Sequence, residues 1–283
     1  MQIRTDLALE RMDEKNVHGS GIRSTIRGDA FRITDIRIDD DQSGQQIGKP
    51  KGRYLTLETS ALSRFSDRYQ EMAEEFAAEL TSLLPKEGTV LVVGLGNRAI
   101  TPDALGPRTA GKVLATRHLK SELQEGEADF LTSLRPVSVL TSGVLGQTGM
   151  ETAEIVSAVC RKIEPAAVIA VDALACAALE RLGTTIQMCD SGICPGSGVD
   201  NRRKELSQRT LGAPVIAVGV PTVVDLHTVV ESLTEQSVPS DRPNLMVTPR
   251  DIDRLIDHAA GMISCGINLA LHPELSFADA ESL

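Results

Sequence analysis

From residue 89 onward, short runs of apolar residues alternate with longer segments in which apolar residues recur every three or four positions. Continuous β-branched runs are typical of strands buried on both faces of a sheet, whereas the spaced pattern indicates amphipathic helices. This alternation predicts an α/β fold, with a mostly parallel sheet and helices on both of its faces. The predicted strands are residues 89–95, 137–143, 166–171, 184–188 and 214–220. The predicted helices are residues 102–119, 151–162, 173–182, 222–235 and 249–271.

The first 88 residues follow a different pattern. Residues 1–20 are polar without a clear period, so we expect an exposed N-terminal arm. Residues 21–59 alternate apolar and polar positions on either side of a loop-like run at 39–52, which predicts a small antiparallel β unit. Residues 61–84 carry apolar side chains three or four positions apart with acidic residues between them, and this spacing predicts an amphipathic helix.

Composition narrows the classes of function. The 283 residues include 29 Lys and Arg against 39 Asp and Glu, and the resulting net charge of −10 opposes binding to nucleic acid. The five cysteines are odd in number and widely spread, which favours free thiols in a reducing compartment over a disulfide framework. The charged N-terminus lacks the apolar core of a signal peptide, and no apolar run approaches the roughly 20 residues that cross a bilayer. We therefore expect a cytoplasmic protein that binds neither nucleic acid nor membrane.

Short motifs give little support to the common nucleotide-binding and hydrolase sites. Residues 94–99 fit G-x-G-x-x-A after a strand, but the predicted helix begins only at Pro102 and no acidic strand end follows about 20 residues on. Residues 106–113 match G-x-x-x-x-G-K, yet Val113 stands where a phosphate loop has Ser or Thr. The chain has no G-x-S-x-G and no H-E-x-x-H, and its five histidines are scattered. A hydrolase built on this sequence would use carboxylates or a metal.

Two aspartates follow strands of the predicted sheet. Asp103 lies just beyond the first strand of the α/β region, and Asp172 lies directly at the end of the third. The crevice outside the carboxyl ends of parallel strands is the usual ligand site, where two carboxylates can share a proton and act as acid and base on water. Both aspartates also lie at the starts of predicted helices, where Asp is favoured as a cap or a first-turn charge, so spacing alone leaves both interpretations open.

Glycine-rich stretches follow two other strands, at residues 190–205 and 142–149. Long loops in a compact domain often bind ligands, and glycines let a substrate backbone approach closely, although both stretches are equally explained as turn-rich connections with solvated charges. The candidate substrate-binding residues are Gly94, Gly96, Asn97, Gly143, Asp190, Ser191, Gly192, Gly196, Ser197 and Gly198. We expect no bound cofactor and no metal at these residues.

Eight blocks that span nearly the whole chain in order carry a more specific signal. They are IRTDLALE (3–10), KGRYLTLE (51–58), VVGLGNRAITPDALGPR (92–108), RPVSVLTSGVLGQTGMET (135–152), VIAVDALA (168–175), TIQMCDSGICPGSGVDNRRKE (185–205), GAPVIAVGVPTVVD (212–225) and NLMVTPRDID (244–253). Together they resemble the germination proteases of spore-forming bacteria, the endopeptidases that degrade small acid-soluble spore proteins. The resemblance implies an atypical aspartic-type peptidase, and its two catalytic aspartates fall on Asp103 and Asp172.

The resemblance also implies a zymogen that removes its own N-terminal segment. The processing site of the family falls between Asp6 and Leu7, where the sequence resembles the family's substrates: an acidic residue precedes an apolar-Ala-x-Glu stretch. The expected divisions are a propeptide (1–6), an N-terminal arm with the β unit (7–60) and an α/β core (61–283), the last two forming a single peptidase domain (7–283).

The biological setting is expected from the same resemblance. It implies a homotetramer in the cytoplasm of the forespore and the spore core, acting on small acid-soluble spore proteins. The family's fold is also similar to that of hydrogenase maturation endopeptidases, which act around a nickel centre, so a metal-dependent endopeptidase using the same carboxylates is an alternative. A third hypothesis is a spore protein that keeps the crevice for binding only.

Overall fold

A mixed β-sheet forms the framework of the computed structural model, which describes residues 5–15, 21–60, 62–64, 66–119, 129–196, 203–234, 238 and 244–283. The strands in this part of the chain are β1 (Ile22–Arg27), β2 (Arg32–Ile38), β3 (Gly52–Glu58), β4 (Val90–Gly94), β5 (Val137–Thr141), β6 (Ala167–Cys176), β7 (Thr185–Cys189), β8 (Val215–Asp225) and β9 (Met246–Val247). Their order is β1-β2-β3-β7-β8-β6-β4-β5, and β9 pairs with the end of β8. The four strands β5, β4, β6 and β8 run parallel, and the other pairs are antiparallel.

Helices cover both faces of this sheet. They are α1 (Ala8–Lys15), α2 (Asp41–Ile47), α3 (Tyr69–Thr81), α4 (Leu105–Ala110), α5 (Asp129–Ser133), α6 (Leu145–Thr148), α7 (Thr152–Ile163), α8 (Gln208–Leu211), α9 (Leu226–Thr234), α10 (Ile252–Leu271) and α11 (Phe277–Glu281), with 3₁₀ turns at Thr101–Asp103 and Leu179–Arg181. Along β4, Val90 and Val92 pack into the larger core with α3, α4 and α10. Leu91 and Val93 pack into a second core with α7 and α8. This alternation confirms the predicted α/β class with helices on both faces.

The sheet is mixed because β7 joins the parallel strands to the N-terminal strands. It runs antiparallel to β8 and pairs on its other side with β3, so that Gln187 lies between Gly219 and Thr56. The predicted antiparallel β unit is therefore confirmed, but it extends the main sheet instead of forming a separate unit. The loop-like run within it contains α2, whose N-cap residue Asp40 accepts a hydrogen bond from Ser43 N at 2.8 Å.

Two of the predicted helices are wrong over most of their length. The helix expected at 173–182 is replaced by the continuation of β6 and a 3₁₀ turn, because β8 provides a ladder partner as far as Val224. Tertiary pairing overrides the helical preference of the alanines in this segment. The helix expected at 102–119 shrinks to a 3₁₀ turn and α4, and beyond α4 the chain turns so that Thr116 accepts a hydrogen bond from Val137 N.

The other helices match their predicted positions, α7 with a shift of one residue and the rest with shorter bounds. The spacing at 61–84 forms α3, the segment at 151–162 forms α7, and the segment at 249–271 forms α10. The helix expected at 222–235 begins only at Leu226, because β8 extends to Asp225. None of the helices in the described residues combines the length and apolar character needed to cross a membrane.

The prediction of an exposed N-terminal arm is wrong for residues 5–12, whereas residues 13–15 are exposed. The α1 helix packs against β2, β3 and α2, where it meets Ile36, Tyr54 and Ile47. The buried apolar residues of this segment are Leu7, Ala8, Leu9 and Met12. Residues 8, 9 and 12 share one face of the helix, and this short apolar stripe is hidden by charged residues in the sequence. The segment is thereby fixed across one end of the sheet.

Candidate active site

Asp172 lies in register with residues of the two neighbouring strands β8 and β7. It belongs to β6, its register partner on β8 is Gly219, and Gly219 in turn faces Gln187 on β7. A Cβ on Gly219 would lie 2.7 Å from the Asp172 carbonyl oxygen, so the close approach of β8 to β6 depends on this glycine. Asp172 is 5% exposed, and its Oδ1 accepts a hydrogen bond from Ala173 N at 2.9 Å. It lies inside the strand and not at the predicted strand end, because β6 continues to Cys176.

Asp103 is held by the loop that follows β4. Asn97 N donates to the Asp103 carbonyl oxygen at 3.1 Å and to its carboxylate Oδ2 at 2.8 Å. Gly96 has a φ of +105°, and a Cβ there would lie 2.2 Å from the Asp103 carbonyl oxygen, so the loop requires glycine at this position. Gln147 Nε2 donates to Asn97 Oδ1 at 2.8 Å and ties the 142–149 stretch to this loop. The G-x-G-N sequence after β4 therefore positions a carboxylate.

Burial raises the pKa values of both aspartates, and neighbouring negative charge adds to the shift of Asp172. Burial raises the pKa of Asp103, and the hydrogen bond from Asn97 N partly opposes that shift. Burial raises the pKa of Asp172 well above its usual range, and the negative charges of Asp103 and Asp6 raise it further. Two interacting carboxylates in such surroundings can share one proton. The arrangement can supply one acid and one base to a reaction.

The raised pKa of Asp172 predicts how stability depends on pH. The folded state keeps the Asp172 proton to a higher pH than the unfolded state, so wild-type stability falls as pH rises from the ordinary aspartate pKa through the raised one. The Asp172→Asn variant lacks this loss. We expect its Tm to exceed that of the wild type by about 2–4 °C at pH 7, with a smaller excess toward pH 4. Scanning calorimetry across this range measures the difference, and an excess independent of pH would contradict the raised pKa.

A cavity of about 270 Å³ opens beside Asp172. Among the predicted binding residues, Ser191, Gly192 and Gly196 line it. The candidates that are not among its described lining residues are Gly94, Gly96, Asn97, Asp103, Gly143 and Asp190. Ser197 and Gly198 lie outside the described residues. Asp190 instead accepts a hydrogen bond from Arg53 N at 2.7 Å, which ties the end of β7 to β3.

The N-terminal segment enters this cavity. Pairing of β6 with β4 ends at Val171, which leaves the backbone of Ala175 free of β4. Asp6 N donates to the Ala175 carbonyl oxygen at 3.0 Å, and the Asp6 carboxylate accepts a hydrogen bond from Ala175 N at 2.9 Å. The next side chain, Leu7, has no exposed surface and packs against Leu174, Cys176 and Val224. The structure thus brings the peptide bond between Asp6 and Leu7 to the site of Asp172.

Glu10 anchors the segment further along. Its carboxylate accepts hydrogen bonds from Ala177 N at 2.8 Å and from Ala178 N at 2.9 Å, and Arg181 lies 3.6 Å away. These contacts involve residues just after β6 ends. The end of β6 and the residues that follow it therefore bind both acidic side chains of the segment. Charge-assisted hydrogen bonds of this kind are about twice as strong as neutral ones.

Two residues that the sequence analysis did not single out contact the Asp6 carbonyl oxygen. Lys49 Nζ donates to it at 2.5 Å, and Gln187 Nε2 donates to it at 3.0 Å. Gln187 Oε1 also accepts a hydrogen bond from Ala8 N at 2.6 Å. Burial lowers the pKa of Lys49, and the negative charge of Asp6 opposes that shift. Gln187 could have been found from the sequence, because it is a polar residue inside an apolar strand. Lys49 lies in a polar run, where nothing distinguishes it from its neighbours.

The metal-dependent alternative would need side chains grouped as metal ligands. Among the described residues, no group of three or more His, Cys, Asp and Glu side chains is arranged to hold a metal ion. The chelator experiment below addresses a metal requirement directly.

Sequence comparison connects the chain to proteins that share one name. A family model described as germination protease matches residues 2–238. A germination protease of Clostridium tetani is 39% identical, over 100% of this chain and 99% of its own length. Those of Caldanaerobacter subterraneus subsp. tengcongensis and Bacillus velezensis are 41% and 37% identical, covering 99% and 97% of this chain and 98% and 94% of their own lengths.

Among solved structures, a [NiFe] hydrogenase maturation protease HycI from Thermococcus kodakarensis KOD1 is 16% identical, with a TM-score of 0.35. The match covers 66% of this chain and 96% of that protein. We draw nothing about mechanism or metal content from a likeness of this extent.

Proposed function

Because the chain belongs to the germination protease family, we propose that it is an endopeptidase in which Asp103 and Asp172 act together on water, and that its first substrate is its own N-terminus. One observation carries the proposal: the peptide bond between Asp6 and Leu7 lies in a cavity lined by Asp172, in a segment held on both sides of that bond. A protease role in spores comes with the family.

The two aspartates take different roles in this proposal. Asp172 holds the proton, since its pKa is raised most strongly by burial and by two neighbouring carboxylates. Asp103 is the ionised partner, because the hydrogen bond from Asn97 N favours its charged form. Asp103 takes a proton from water as the water oxygen attacks the carbonyl carbon, and Asp172 gives its proton to the departing nitrogen. The products are a carboxyl group on Asp6 and an amino group on Leu7.

We propose small acid-soluble spore proteins as the substrates in trans. Support comes from the way β6 and the residues after it hold an acidic residue, an apolar residue and a downstream glutamate, the last in the first turn of α1. A substrate held in this manner must give up folded contacts of its own around the cut, which suits proteins that are poorly structured when free. We also propose that the chain forms a homotetramer, and sedimentation of the purified chain measures this oligomeric state. A location in the forespore and spore core belongs to the same proposal.

Substitution of Glu10 tests this recognition. We expect Glu10→Gln to slow release of residues 1–6 by about 10- to 100-fold, because its charge-assisted hydrogen bonds to Ala177 N and Ala178 N are worth roughly 1.5–3 kcal/mol. Glu14→Gln is the matched control, since Glu14 lies on the same helix and pairs only with Arg11 among the contacts the structure records for it. Quantitative mass spectrometry over time gives both rates, and equal rates would remove Glu10 from the recognition site.

The decisive experiment is incubation of the purified full-length chain with excess chelator, followed by mass spectrometry. Loss of residues 1–6, together with cleavage of the peptide MQIRTDLALERMDEK after Asp, supports a metal-independent endopeptidase. Activity that a chelator abolishes and added metal restores would favour the metal-dependent alternative. No cleavage under either condition, with retained binding of the peptide, would leave the binding-only hypothesis.

A further inference from the structure

We propose that Lys49 and Gln187 form the oxyanion hole of this enzyme: both donate to the carbonyl oxygen of the scissile bond and stabilise the negative charge that develops there. The inference rests on the proposed function, because the scissile carbonyl is taken to be that of Asp6. Gln187 Nε2 lies 3.0 Å from that oxygen, within the range of good hydrogen bonds, and Lys49 Nζ makes a close contact with it at 2.5 Å.

Lys49 is presented by a turn that the fold holds from both sides. It follows Gly48, the left-handed C-cap of α2, and Lys49 N donates to the Gly44 carbonyl oxygen at 3.1 Å. On its other side, Tyr54 Oη donates to the Pro50 carbonyl oxygen at 2.7 Å. A Cβ on Gly44 would lie 2.5 Å from the Lys49 carbonyl oxygen, so this turn packs directly on the helix. The Lys49 backbone is therefore fixed before any substrate arrives.

Gln187 is fixed by the sheet and by the substrate backbone together. It lies in β7 between β3 and β8 and is 7% exposed. Ala8 N can only donate, so the Gln187 oxygen must face Ala8 and the amide nitrogen must face the Asp6 carbonyl oxygen. One side chain thus spans Leu7 and holds the peptide on both sides of the bond to be cut.

The chemistry requires such donors. When the water oxygen bonds to the carbonyl carbon and a water proton passes to the carboxylate, the carbonyl π electrons move onto the oxygen that faces Lys49 and Gln187. When the carbon–nitrogen bond then breaks, those electrons reform the carbonyl and the protonated carboxyl supplies the proton to nitrogen. Preorganised donors in a site shielded from water stabilise the charged intermediate more than the neutral ground state. The aspartates supply protons, so the positive partner of the oxyanion must come from elsewhere.

Both donors belong to the body of the protein, on the turn after α2 and on β7, and not to the segment that is cut. They remain in place after residues 1–6 leave. The same pair is therefore available to the carbonyl of a substrate bound in trans.

The test measures release of residues 1–6 from full-length Lys49→Met, Gln187→Glu and Lys51→Met. Removal of one oxyanion donor typically lowers the rate by about 10²–10³-fold, which we expect for Lys49→Met and for the isosteric Gln187→Glu. Lys51→Met is the matched control, since Lys51 is exposed and two positions away, and its rate should stay within about threefold of the wild type. Hydrogen exchange over residues 5–15 reports whether the segment is still bound, and protection should persist in the two slow variants.

The outcomes separate this inference from the proposed function. Failure of the wild-type chain to release residues 1–6 would overturn both the proposed function and the oxyanion hole. Release by the wild type but not by Asp172→Asn, with Lys49→Met and Gln187→Glu within about threefold of the wild type, would overturn the oxyanion hole alone. Slow release accompanied by lost protection of residues 5–15 would also overturn it, because the two residues would then serve binding only. Should Lys49→Met fail to fold, Gln187→Glu decides, as its shape is unchanged.

Discussion

Replacement of either Asp103 or Asp172 by Asn is expected to abolish release of residues 1–6, with a fall in rate of about 10⁴-fold while the chain stays folded. The proposed reaction needs both carboxylates: Asp103 takes a proton from water, and Asp172, whose pKa is raised by burial and by the charges of Asp103 and Asp6, gives a proton to the leaving nitrogen. Asn keeps the size of the side chain and the hydrogen bond from Asn97 N or Ala173 N, so the geometry survives and the chemistry does not. Time-resolved mass spectrometry gives the rate, and circular dichroism checks the fold.

Asp190→Asn is the matched control for this pair. Asp190 is also a carboxylate close to the site, but it accepts a hydrogen bond from Arg53 N, a contact that Asn can retain. We expect release within a few-fold of the wild type. Comparable losses for Asp190→Asn and Asp172→Asn would show that the assay follows general destabilisation, and near-normal release by Asp103→Asn would remove Asp103 from the catalytic pair.

The second large effect is expected at Gly106, the second residue of α4. A Cβ there would lie 2.3 Å from both the Leu95 and Val171 carbonyl oxygens, the latter of which accepts the Leu95 N–H where β4 and β6 run side by side. Backbone atoms cannot yield as a flexible side chain can, so Gly106→Ala must push α4 and the Asp103 turn away from β6. We expect a loss of roughly 3 kcal/mol or more in unfolding free energy, an overpacking effect at the upper end of its range.

Gly111→Ala serves as the comparison for Gly106→Ala. Gly111 ends the same helix with a φ of −67°, and a Cβ there would meet its nearest neighbours at 3.4 Å and 3.5 Å, which is ordinary contact. We expect this variant to be neutral or more stable by up to about 1 kcal/mol, since Ala restricts the unfolded chain. Denaturant unfolding of both variants settles the comparison. Equal midpoints would mean that α4 is not seated on the two strands as described.

The sequence predicted much of the framework because buried parallel strands are marked by continuous apolar runs. Continuous runs such as β4 and the first half of β6 admit few alternatives, and they located Asp103 and Asp172 relative to the sheet. The continuation of β6 beyond Asp172 was read as a helix, because its alanines favour helices locally and only the long-range partner β8 makes it a strand. That error hid the edge on which Asp6 and Glu10 bind.

The site was less predictable than the framework. Lys49 and Gln187 are 138 positions apart in the sequence and meet only where the turn after α2 lies over β7. Charged residues such as Glu10 make the N-terminal segment polar in sequence, yet Glu10 is 5% exposed and bound by backbone N–H groups. A buried charge satisfied by distant backbone cannot be recognised from a hydropathy pattern.

The burial of Leu7 would give the proposed self-cleavage a direction. Hydrolysis after Asp6 converts a neutral peptide bond into an ammonium group on a residue with no exposed surface and a new carboxylate beside the existing carboxylates of Asp6 and Asp172. The ammonium would belong to a residue packed among apolar side chains. The new carboxylate, although contacted by Lys49, would lie close to the carboxylates of Asp6 and Asp172, so charge burial and this repulsion weaken the bound products. Separation of the two fragments relieves both the charge burial and the repulsion between carboxylates. Re-formation of the peptide bond is therefore disfavoured, and the proposed cleavage is effectively irreversible.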